Sequence, residues 1–109
     1  LGLKRGDVVV LAPPGEFGKP RPAVVIQSDF AMTDSTVTFL PFTTDLGRYP
    51  MARVLVAPTE ENGLRVPCEA MADLIQTVSV AKVARVIGRL DRRSLEAIET
   101  ALMVHLGLV

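Results

Sequence analysis

Arg21 stands between Pro20 and Pro22, and Glu16 and Lys19 lie within five residues ahead of it. A guanidinium is charged at any working pH and donates two parallel hydrogen bonds to a phosphate or carboxylate. Flanking prolines narrow the backbone freedom of such a residue and preset its direction. Arg21 is therefore a candidate anion-binding cation, and the plainer alternative is a solvated loop arginine. Glu16, kept ionised by a neighbouring arginine, can accept a proton or simply form an ion pair that orders the loop. Thr43, followed by Thr44, closes an apolar run, where a hydroxyl can face a cleft. A hydroxyl is no base at neutral pH, but it can donate to an oxygen on which charge develops.

The other reactive types offer less. Cys68 is the one cysteine, so no internal disulfide forms, and beside Pro67 and Glu69 it reads as a small buried residue rather than a nucleophile. His105 is the one histidine and borders an apolar stripe, which makes it structural or surface-located. Without clusters of His, Cys, Asp and Glu at ligand spacing, no metal and no cofactor are expected.

The elements that must hold these residues follow from patterning. Residues 7–11, 23–27, 36–40 and 53–56 are short β-branched or apolar runs and are expected to be strands, with Pro41 ending the third. A fifth strand is expected over 68–73, continuing or restarting at 76–78. Residues 12–22 hold four prolines and two glycines and are expected to form a loop. Turns are expected over 43–50 and at 60–63, where Asn62-Gly63 tolerates positive φ. The last third suits a helical turn at 80–83, a strand at 84–90 and a helix over 91–106. Asp91 would cap that helix, Leu95, Ile98, Leu102 and Leu106 would share its buried face, and Gly107 would end it. Arg92, Arg93, Glu96 and Glu99 would form its solvated side. Many short strands between Gly/Pro turns argue for a small barrel, mainly β with helical additions.

At 109 residues and 11.7 kDa, one domain spanning 1–109 is expected. Twelve Lys and Arg balance twelve Asp and Glu, so nucleic-acid binding would have to be local, through a few placed cations. A hydrophobic fraction of 49% is high for so small a domain, and part of it is expected to be buried against a second copy or a partner. No apolar run approaches the roughly 20 residues that span a bilayer, and residues 1–7 lack the order of a signal peptide, so a cytoplasmic protein is expected.

Several segments, in order along nearly the whole chain, resemble the MazF/PemK (Kid-like) family. They are Arg5-Gly6-Asp7, Gly15-Glu16 ahead of Arg21-Pro22-Ala23-Val24-Val25, Leu40-Pro41-Phe42-Thr43-Thr44, Gly47-Arg48-Tyr49-Pro50, Ala70-Met71-Ala72-Asp73 with Gln76-Thr77-Val78, and the closing Leu106-Gly107-Leu108. The resemblance implies an SH3-like (CcdB/PemK-type) small β-barrel with a C-terminal helix, a homodimer, and an endoribonuclease toxin that cleaves single-stranded messenger RNA. It also implies a small MazE-like antitoxin whose C-terminal segment covers the site.

In that frame the catalytic residues are Arg21, Thr43 and Glu16. RNA contacts are expected from Phe17, Lys19, Thr44, Arg48, Tyr49, Asp73 and Gln76, which offer stacking faces, cations and polar groups suited to single strands. The chain departs from the Kid pattern within the family at Met71, where Kid has an arginine two places before the aspartate, and at Gly15, where Kid has a histidine. The implied mechanism therefore rests on Arg21. Two other functions fit the fold: a CcdB-like toxin that binds gyrase without cutting nucleic acid, and an SH3-like module that binds without catalysis. Arg21 and Thr43 occurring together in family context weigh against the first.

Overall fold

Val8, Val9 and Val10 are buried in succession because both faces of the strand that carries them are covered. That strand is β1 (Asp7–Leu11), in a computed structural model that describes residues 2–12 and 19–109. Glu16 and Phe17 lie outside the described residues. The remaining strands are β2 (Arg21–Val25), β3 (Thr36–Thr43), β4 (Arg53–Val56), β5 (Cys68–Met71), β6 (Gln76–Ser79) and β7 (Val83–Arg89), followed by helix α1 (Arg92–His105). They pair antiparallel in the order β4-β5-β3-β2-β1-β7, with β6 beside the first half of β3. The expected class, mainly β and barrel-like with a C-terminal helix, is the one observed. The sheet curls without closing.

β3 runs past Pro41, where a strand end was expected. Its first half pairs with β6, from Thr36 opposite Ser79 to Phe39 opposite Gln76, and its last two residues pair with β5, at Phe42 opposite Ala70 and Thr43 opposite Glu69. Two residues of β3 thus face five of the opposing chain, and the 3-10 turn Ala72–Leu74 absorbs the surplus. This is why β5 stops at Met71 instead of running to 73. On its other edge β3 pairs with β2. Ile26 N–H donates to the Thr38 carbonyl at 3.1 Å, so by alternation Ala23 and Pro41 form a non-hydrogen-bonded pair. The Pro41 nitrogen therefore points to the gap between β5 and β6, where a missing N–H leaves no ladder bond unmade.

Two apolar clusters lie on opposite faces of the central strands. Val9, Ala23, Val25, Val37, Phe39 and Val83 form one with Leu3. Val8, Val24, Leu40, Phe42, Val56 and Ala70 form the other, sealed by Ile98, Ala101 and Leu102 of α1. Asp91 holds the N-cap position as expected. Leu106, expected on the buried stripe, is exposed because the helix ends at His105. Glu99 is not merely solvated: its carboxylate meets Arg5 at 2.5 Å, and Arg5 also donates to the Ile26 carbonyl. Asp7, 7% exposed, accepts from Arg89 at 2.9 Å, so Arg5 and Asp7 are structural pins.

The free edge of β7 is met by the turn after β4. Arg89 N–H donates to the Glu61 carbonyl at 2.8 Å. Buried Asn62 accepts from the Thr59 and Leu64 N–H groups and donates to the Ala57 carbonyl, which satisfies its amide. Gly63 takes φ +72°, as the Asn-Gly pair suggested, and lies against Ile87, while Gly88 lies against Glu61 and Asn62. A Cβ on Gly88 would stand 2.4 Å from the Glu61 oxygen, closer than backbone permits. Gly88→Ala is expected to lower unfolding free energy by about 2–3 kcal/mol, the scale of forced overpacking, read as a fall in the urea midpoint at unchanged slope.

Candidate active site

Arg21 opens β2 rather than closing a loop, as the prolines around it had suggested. Pro22 fits because it sits near the strand start, opposite Val10 of β1. Counting two residues on from Ala23 and Pro41 in the same register sets Arg21 abreast of Thr43. The ladder itself ends at Ala23 and Pro41, because Pro22 has no N–H to carry it further. Both residues line one open cleft of about 300 Å³ with Lys19 and Thr44. Pro20, Pro22, Phe42 and Cys68 supply its apolar walls.

The Thr43 hydroxyl accepts the Asp45 N–H at 3.0 Å, which fixes the oxygen and leaves its proton free. It thus both starts the turn after β3 and faces the cleft. Across β3 from Arg21, the row continues to Glu69 of β5 and then to Leu55 of β4. Glu69 is only 9% exposed. Its Oε2 accepts the Gly47 N–H at 3.1 Å, and its Oε1 is buried with no hydrogen-bond partner among the described residues. Sequence reasoning missed Glu69, although a carboxylate inside the apolar run of Cys68–Met71 was a visible signal.

The remaining candidates gather elsewhere. Asp73 accepts two hydrogen bonds from Arg53, each 3.2 Å, and the Arg53 guanidinium lies 4.6 Å from the centre of the Tyr49 ring. Arg48 pairs with Asp45 in the same exposed segment. Gln76 is exposed on β6 opposite Phe39. None of Arg48, Tyr49, Asp73 or Gln76 lines the cleft of Arg21 and Thr43. Cys68 is buried, its thiol pushed above the usual value by desolvation, in keeping with a packing role. His105 is exposed in the last turn of α1.

A second cleft of about 540 Å³ adjoins the first through Pro20, Pro22, Thr44 and Cys68, and it adds Arg65 and Arg85. These two arginines were not singled out from sequence, since neither lies in a motif. Among the described residues, Lys19, Arg21, Arg65 and Arg85 take part in no salt bridge, whereas Arg5, Arg48, Arg53, Arg89 and Arg92 do. A chain with no net charge therefore keeps unpaired cations around adjoining clefts.

The family profile of the PemK-like, MazF-like toxins of type II toxin–antitoxin systems matches residues 4–106. The chain belongs to this family. It is 35% identical over 107 residues to a probable endoribonuclease MazF of Mycolicibacterium smegmatis, covering 97% of this chain and 98% of that one. It is 33% identical over 117 residues to endoribonuclease MazF9 of Mycobacterium tuberculosis, with the same coverage. Its fold superposes with a TM-score of 0.80, at 23% identity and over 99% and 98% of the two chains, on an endoribonuclease solved in complex with its cognate antitoxin from a mycobacterial species. In this PemK/MazF-family toxin Arg21 and Thr43 line one cleft, and the arginine beside Asp73 is Arg53 of β4, residue 71 being methionine.

The hydrogen bonds from Arg53 hold the Asp73 carboxyl below its ordinary value, against the opposing effect of burial. A carboxylate depressed in the folded state stabilises above its unfolded pKa, near 4, and that stabilisation is lost as pH falls through the folded value. Asp73→Asn should therefore lower stability by on the order of 1 kcal/mol at pH 7. The difference from wild type should shrink below about pH 4 in acid-unfolding curves.

Proposed function

We propose that this toxin is a metal-independent endoribonuclease that cleaves single-stranded messenger RNA at short specific sequences. The observation that carries the reading is the register that sets Arg21 abreast of Thr43 in a cleft edged by further unpaired cations. Cleavage without a metal uses the ribose 2′-hydroxyl as nucleophile on the adjacent phosphate. It needs a cation for the crowded phosphate, a proton acceptor for the nucleophile and a proton donor for the leaving 5′-oxygen.

Arg21 supplies the cation as a bidentate donor and can hold the water that protonates the leaving oxygen. Thr43 donates to a phosphoryl oxygen, and Glu16 is the carboxylate proposed as proton acceptor. Lys19 and Thr44, which line the same cleft, support contacts to the neighbouring phosphates. Arg65 and Arg85 extend the positive surface beyond them. Phe17, Arg48, Tyr49, Asp73 and Gln76 are proposed to meet flanking nucleotides. Of these, Tyr49 is 54% exposed and offers a stacking face.

A small MazE-like antitoxin is the proposed protein partner, in line with the relative solved with its cognate antitoxin, its C-terminal segment covering the cleft. A second copy of the chain is the proposed cover for exposed apolar residues such as Met51, Leu55, Leu74, Met103 and Leu108. A toxin that cuts messenger RNA acts in the cytoplasm.

Wild type is expected to cut an all-ribose RNA in excess chelator, leaving a 2′,3′-cyclic phosphate and a 5′-hydroxyl. A 2′-deoxy substitution at the cleaved position should block the cut. Arg21→Ala should slow cleavage about 10²–10³-fold, the scale of losing one transition-state donor, with an unchanged melting curve. Equal cutting of the deoxy substrate would sink the mechanism. In sedimentation, the free toxin should run at twice the 11.7 kDa chain mass.

A further inference from the structure

A buried carboxylate oxygen without a partner is costly, and Glu69 keeps one, among the described residues, beside the proposed site. Packing alone gives no reason for it, since an apolar residue would fill the same strand position. Its place in the register does. Arg21, Thr43 and Glu69 stand on three adjacent strands in one row, so the carboxylate is the immediate neighbour of Thr43 on the side away from Arg21. Oε2 is committed to the Gly47 N–H, and this bond holds the turn after β3 over the row. Oε1 is left as an acceptor on the residue directly opposite Thr43, and opposed residues of an antiparallel pair lie about 4.5–5.5 Å apart.

Thr43 Oγ has two lone pairs and one proton. One lone pair is filled by the Asp45 N–H, which leaves a lone pair for a substrate hydroxyl and a proton to give away. We propose that Glu69 is a positioning residue for Thr43 that takes the RNA 2′-hydroxyl proton through the Thr43 hydroxyl. This rests on the cleavage reaction above and reassigns two of its roles: Glu69 replaces Glu16 as the proton acceptor, and Arg21 alone holds the phosphate. The 2′-O–H bond breaks and its proton passes to Thr43 Oγ while the Thr43 proton passes to Glu69 Oε1. The 2′-O–P bond forms, the P–O5′ bond breaks, and the 5′-oxygen takes a proton from water. Glu69 then returns its proton to solvent.

Of the charged and titratable groups on the elements around Glu69, Arg53 of β4 acts on it and is held by Asp73; the others are Arg21 of β2 and Asp45, Arg48 and Tyr49 of the turn after β3.

The test is the single-turnover cleavage rate against pH for wild type, Glu69→Gln and Glu16→Gln, with melting curves for each. Gln keeps the size of Glu69 and a carbonyl oxygen for Gly47, so a purely structural role would leave the pH profile unchanged. Wild type should lose rate on the acidic side as a carboxylate protonates. Glu69→Gln should lower the plateau about 10²–10⁴-fold, the scale of general-base catalysis, and abolish the acidic limb. Glu16→Gln should retain that limb whatever its rate. An acidic limb kept by folded Glu69→Gln, or lost in Glu16→Gln alone, overturns the inference. If Glu69→Gln does not fold, Thr43→Val is measured instead: it should lose the limb, and retention overturns the relay. A wild type that cuts no RNA at any pH overturns the cleavage reading itself, and this inference with it.

Discussion

The eight residues of β3 have to satisfy two partners on one edge and a third on the other. β2 pairs along one side, while β6 and β5 share the opposite side with a three-residue surplus between them. Backbone hydrogen bonding alone would not tolerate such a break in a central strand, because buried N–H and C=O groups must be paired. Pro41 removes the donor at the place where no acceptor is available. With that conflict resolved, the strand continues to Thr43, and only then do β2 and β5 bring Arg21 and Glu69 to either side of it. The site is a consequence of how far β3 can run.

Charge is distributed by the same logic. Five arginines are tied to carboxylates, and two of these pairs, Arg5 with Glu99 and Arg89 with Asp7, join the two ends of the chain. Such partly exposed pairs add little stability singly, but they fix α1 and β7 against β1. Balanced acidic and basic content thus coexists with a local cationic surface, because the carboxylates of these ion pairs lie outside the two adjoining clefts. This reconciles zero net charge with a substrate as anionic as RNA.

Much of the fold was legible. Runs of β-branched residues marked β1, β2 and β3 because burial on both faces demands continuous apolar sequence, and the three- and four-residue spacing of Leu95, Ile98 and Leu102 marked α1. Strand ends were less legible where proline was taken as a stop. At Pro41 the ladder geometry, which is a property of neighbouring strands, made proline harmless, and at Pro22 the place near the strand start did. Leu106 failed for a related reason: periodicity continued, but the helix did not.

The sequence by itself determined the family, the strand and helix content and the chemical competence of Arg21 and Thr43, since these depend on residue type, order and local spacing. Tertiary structure alone decided which of those residues meet. Register set Arg21, Thr43 and Glu69 in one row although 22 and 26 positions separate them along the chain. It also drew Asp73 to Arg53 and placed Arg65 and Arg85, in no salt bridge among the described residues, around the adjoining cleft. Pairing across a sheet joins residues distant in sequence through backbone hydrogen bonds that carry no side-chain signature, so a constellation of this kind is not written in any local pattern.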